Sequence, residues 1–155
     1  MCIRDSNLDG VESFRAVRAG VIESDPALPV EERLGLVVRE MTSLLEDLRP
    51  DAVVVEKVFF QKNAKTAIPV AQVSGIAVGL AAATNTKVRQ FTAQQVKMAV
   101  TGYGAADKSQ VQHMVARLCG LKDIPKPADA ADALGLAITF FMVERIERRF
   151  DSVAS

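Results

Sequence analysis

Asp129 and Asp132 stand three residues apart in the run Pro127-Ala128-Asp129-Ala130-Ala131-Asp132-Ala133-Leu134. On a helix, that spacing puts both carboxylates on one face, roughly 60° apart around the axis, where they can share a cation. Glu56 adds a third acid, at the end of the apolar run Ala52-Val53-Val54-Val55. Mg²⁺ takes a few carboxylates and completes its shell with water and phosphate oxygens, so three such acids suit phosphodiester chemistry. Taken singly, each has a plainer explanation. Acids near a helix N-terminus are favoured by the macrodipole, and an acid where a strand leaves a sheet is ordinary. The combination is what points to a metal.

Charge is distributed to match. The chain of 155 residues has 19 Lys and Arg against 19 Asp and Glu, but residues 57–117 hold Lys57, Lys62, Lys65, Lys87, Arg89, Lys97, Lys108 and Arg117 against the single acid Asp107. A basic segment of this kind neutralises backbone phosphates. Lys97 and Lys108 flank the glycine turn Thr101-Gly102-Tyr103-Gly104, where ammonium groups on flexible backbone can reach a phosphate. Phe59 and Phe60 point to opposite sides if that segment is extended, which leaves one of them able to stack on an unpaired base. His113 reads as a surface or partly buried histidine rather than a catalytic base.

The elements that must carry these groups alternate between strand and helix, which predicts an α/β sheet. A strand is expected over 14–23, ending near Ser24-Asp25-Pro26. Leu34, Val37, Val38, Met41, Leu44, Leu45 and Leu48 recur at three- and four-residue steps, an amphipathic helix over 30–48. Residues 52–55 read as a buried central strand. The small, apolar stretch 64–83 reads as a helix whose Gly75 and Gly79 bare one face for close approach, either within the chain or at a dimer seam. A strand over 87–91, a helix capped by Thr92 and running to Val100, a helix opened by Asp107, and a last helix from Ala128 to about Arg148 complete the order. One domain suits this length. Two cysteines offer neither a disulfide framework nor a zinc-ligand spacing, which points to a reducing, cytoplasmic setting. The longest apolar stretch, 68–83, is interrupted by Gln72 and Ser74 and is short for a bilayer, so no membrane association is expected.

Val55-Glu56-Lys57-Val58-Phe59, Gln95-Val96-Lys97, Asp107 to Val115 and the Asp129/Asp132 run resemble, in order and spacing, the RuvC family of crossover-junction endodeoxyribonucleases. The resemblance spans roughly 9–146. It implies an RNase H-like mixed sheet flanked by helices, and a homodimer that nicks four-way (Holliday junction) DNA symmetrically with Mg²⁺, alongside the branch-migration proteins RuvA and RuvB. Carried over by position, Glu56, Asp129 and Asp132 are metal-binding catalytic acids, Phe59 stacks on DNA, and Lys97 and Lys108 contact DNA near the scissile phosphate. The helix over 64–83 corresponds to the family's dimer helix. One departure is evident. The family opens with a strand ending in an Ile-Asp-Pro-Gly type motif whose aspartate is a fourth acid, and residues 1–7 have no counterpart to it; Asp5 receives no catalytic role. The expected layout is therefore an unmatched segment over 1–8, a nuclease domain over 9–149 with an N-terminally incomplete sheet, and a tail over 150–155. A junction-binding protein without nuclease activity is the alternative.

Overall fold

Leu8 faces Val11 in an antiparallel ladder that joins β1 (Cys2–Leu8) to β2 (Val11–Arg18). This computed structural model describes residues 2–8, 11–57 and 64–153. The remaining elements are α1 (Val30–Leu48), β3 (Ala52–Glu56), α2 (Ala64–Ala83), β4 (Lys87–Phe91), α3 (Ala93–Thr101), α4 (Lys108–Leu118) and α5 (Ala128–Val153). The chain divides into two compact units, one made of Met1–Gly20 with Ala93–Ser155 and the other of Val21–Thr92.

Two expectations change in the first unit. The strand expected over 14–23 begins at Val11 and ends at Arg18, where its ladder with β1 ends at the pair Cys2 and Arg18. The opening segment, given no element from sequence, is β1. Its residues 2–8 lack an apolar alternation, and only the partner strand reveals the pairing. Phe14 is 2% exposed and stacks on Phe141 of α5, with ring centroids 5.9 Å apart. Helix α5 also packs on α3 and α4, and Leu134 and Ile138 are the centre of this core. Burial of side chains of this size stabilises by about 1.5–3 kcal/mol each. Gly135 allows the close approach: a Cβ there would lie 3.1 Å from Val96 Cγ1 and 3.7 Å from Val115 Cγ2. Thr139, the buried polar residue of this helix, donates its hydroxyl to Gly135 O at 2.8 Å.

In the second unit β3 and β4 run parallel, with Val54 opposite Arg89 and Glu56 opposite Phe91. Residues 52–55 are half-buried rather than buried, since the described ladder gives β3 one neighbour instead of two. Helices α1 and α2 pack together, and α2 lies on both strands. Arg49 closes α1 in the left-handed region, φ 42°, with its N–H donating to Leu45 O at 2.9 Å. Among the described residues, a Cβ at Gly75 or Gly79 would meet nothing within 4 Å, and Ile68, Val70 and Val73 of the same helix are exposed.

The ladders are thus one antiparallel pair and one parallel pair, a mixed α/β arrangement with helices packed against each. Among the described residues, no helix is long and apolar enough to cross a membrane.

Candidate metal and nucleic-acid site

Pro127 precedes the first turn of α5, and the Ala130 N–H donates to its carbonyl at 2.9 Å. Within the next turn the helix divides sharply by face. Ala130 and Ala131 are 3% and 0% exposed, while Asp129 and Asp132 on either side of them are exposed. The alanines are small enough to bury against the unit's core, and that burial turns both carboxylates outward. The spacing read from the sequence therefore delivers two acids on one solvent-facing side of α5.

Helix α4 brings a cation to them. Asp107 caps this helix: its side chain accepts the Gln110 N–H at 2.8 Å, and Gln110 Oε1 accepts the Asp107 N–H at 3.0 Å. This reciprocal box satisfies two backbone donors that a helix end leaves open. The first residue inside it, Lys108, places Nζ 3.0 Å from Asp132 Oδ2. Both side chains are about half exposed, so the pair neutralises charge locally without being buried. Lys97, on α3, is half-buried, and its carbonyl accepts the Thr101 hydroxyl at 2.8 Å.

Glu56 belongs to the other unit. It ends β3 exposed, and the ladder continues one residue beyond it, where the Lys57 N–H donates to Phe91 O at 2.8 Å. Phe59 lies outside the described residues. His113 is exposed, as expected, with its Nδ1–H donating to Ser109 O at 2.8 Å.

The aspartates offer oxygen alone, open to water, which suits a hard divalent cation such as Mg²⁺ and not a thiolate- or imidazole-seeking one. Lys108 already holds one of those oxygens, so a metal ion would meet an ammonium group there. Among the described residues, no three of His, Cys, Asp and Glu are gathered as a metal cluster. Sequence reasoning recognised Asp107 as a helix opener but missed Gln110 as its partner; the Asp-x-x-Gln spacing carries that signal. It also missed Gly135, which no local pattern marks.

The family model described as "Crossover junction endodeoxyribonuclease RuvC" matches residues 8–140. A Brevibacillus brevis protein named crossover junction endodeoxyribonuclease RuvC is 49% identical over 126 residues, 81% of this chain and 76% of its own. One of the same name from Syntrophomonas wolfei is 43% identical over 141 residues, 91% and 82% of the two chains. The solved structure of Thermus thermophilus RuvC superposes with a TM-score of 0.85 at 31% identity, covering 94% of this chain and 87% of that one. A second structure, of T. thermophilus RuvC in complex with Holliday junction substrate, gives 0.82 at 28% identity over 93% and 85%.

Proposed function

Because this chain belongs to the RuvC family of crossover junction endodeoxyribonucleases, with the RNase H-like fold of its solved members, we propose that it resolves four-way DNA junctions by Mg²⁺-dependent, symmetric nicking. The observation that carries this reading is the outward pair Asp129 and Asp132 with Lys108 held against the second of them.

Asp129 and Asp132 would hold the metal, and the family resemblance gives Glu56 the same role. When bound, Mg²⁺ supplies Lewis-acid polarisation of the phosphodiester and lowers the pKa of a water molecule. The chain's residues do the rest. Lys108 and Lys97 neutralise backbone phosphate beside the aspartates, and the helix core under Ala130 and Ala131 holds the carboxylates still. Phe59 stacks on a base near the crossover. No residue of the chain forms a covalent intermediate in this scheme.

Symmetric nicking calls for two sites related by a twofold axis, the commonest symmetry of soluble oligomers. Helix α2 supports a homodimer, since a Cβ at Gly75 or Gly79 would meet nothing within 4 Å among the described residues and exposed Ile68, Val70 and Val73 lie on the same helix. The junction-bound solved relative supports the substrate. RuvA and RuvB are the partners this reading assigns, and the cytoplasm its compartment.

The competing reading is a junction-binding protein that does not cut. A labelled four-way junction incubated with the protein and Mg²⁺ separates the two. Paired nicks in opposing strands are expected, lost in Glu56→Gln, Asp129→Asn and Asp132→Asn while junction binding persists. Binding without nicks by the unaltered chain would give the site to the second reading.

A further inference from the structure

The face of α4 that turns away from Asp132 lines an open groove of about 470 Å³ with the turn that follows α3. Its size lies in the range of small-ligand sites, roughly 300–1,000 Å³. Tyr103, Ala106, Ser109, His113, Met114 and Arg117 contribute to its walls, and no acidic residue does. The single acid of the surrounding basic segment, Asp107, is turned back to cap α4.

Tyr103 is the telling residue. It is 62% exposed, yet its backbone is braced: the Tyr103 N–H donates to Thr101 Oγ1 at 3.1 Å, and Tyr103 O accepts the Ala106 N–H at 3.0 Å. Gly102, at φ 73°, makes the turn that presents it. An aromatic ring exposed on a fixed backbone is a stacking platform already in place, with little ordering left to do on binding. Arg117 is exposed in the same groove, two turns along α4 from Lys108 and Ser109, and its guanidinium fork suits a phosphate. His113 stands between them with its ring orientation set by the Ser109 carbonyl.

We propose that this groove is a second DNA subsite, which takes one nucleotide of a junction strand with its base on Tyr103 and its phosphate on Arg117. It rests on the family-level reading, and it adds a contact outside the acids, Phe59, Lys97 and Lys108. Charge supports DNA as the occupant. Arg117 stands in a lining without acids, within a segment rich in Lys and Arg, so the groove's charge complements a phosphodiester strand.

The test uses the full chain and a four-way junction carrying 2-aminopurine at successive positions of one strand. Arg117→Ala is expected to weaken junction binding several-fold and to lower the slope of log affinity against log salt by about 1. Tyr103→Ala is expected to weaken it about tenfold, with Tyr103→Phe close to the unaltered chain. Fluorescence quenching at one 2-aminopurine position should vanish in Tyr103→Ala. Unchanged affinity, slope and quenching in both alanine variants, whose melting curves report intact folding, would overturn the subsite. Failure of the unaltered chain to bind the junction would instead overturn the reading beneath it, which keeps the two failures apart.

Discussion

Lys108 and Asp132 are 24 residues apart in sequence, and their side chains meet at 3.0 Å where the start of α4 passes the start of α5. The pair is half exposed, so its contribution to stability is small, about 0–1 kcal/mol. Its place beside the acids proposed to hold the metal is what gives it weight. Lys108→Gln should leave the denaturation midpoint nearly unchanged while weakening junction binding and nicking. In calorimetry without DNA, the same variant should bind Mg²⁺ more tightly, because the competing ammonium group is gone. Unaltered metal affinity would show that Lys108 does not compete for Asp132.

The capping box at Asp107 and Gln110 sets where α4 begins and therefore where Lys108 emerges. Asp107→Ala should cost about 0.5–2 kcal/mol in urea unfolding. It should also lower nicking more than that loss of stability explains, since Lys108 loses its starting point. A fully folded Asp107→Ala protein with unaltered nicking would break this link.

Packing under the site is close at Gly135. A β-branched side chain there meets Val96, 8% exposed and stiff at χ1. Gly135→Val should destabilise by about 1–3 kcal/mol, with a second change, Val96→Ala, recovering part of it. Leu134→Ala, with the native side chain 1% exposed, should cost about 2–5 kcal/mol through the cavity it leaves. Urea denaturation of the single and double variants checks both statements, and simple additivity at 96 and 135 would contradict the contact.

Burial raises the pKa of the Cys119 thiol above its ordinary value of 9.0. The folded protein then keeps a proton that the unfolded chain releases, so this contribution to stability is full below the unfolded value and is lost as pH climbs through the folded one. In a Cys2→Ser background, stability should decline as pH rises above 9.0, and Cys119→Ala should flatten that decline. Alkylation of Cys119 at neutral pH should be slow in the native protein and fast after denaturation.

Much of this was legible in the residues. The apolar period of 30–48 became α1, the alanine-flanked aspartates came out on one exposed face, and Glu56 ended its strand exposed. What escaped depends on partners distant in the chain. Strand β1 has no alternation to betray it and exists by pairing with β2; β3 is half-buried because its described ladder has one neighbour. Lys108 and Asp132 could each be suspected as site residues, but their contact follows from the way α4 lies on α5, which no spacing within either segment records.

Between the aspartates sit two alanines whose side chains carry no polar atom, yet they decide where the carboxylates aim. Ala131 is wholly buried, so any larger side chain at that position would have to lift the first turns of α5 off their support. Both oxygen pairs would then swing together, as two pens held in one hand. The aim of the site is thus set from beneath, by residues whose only contribution is to be small.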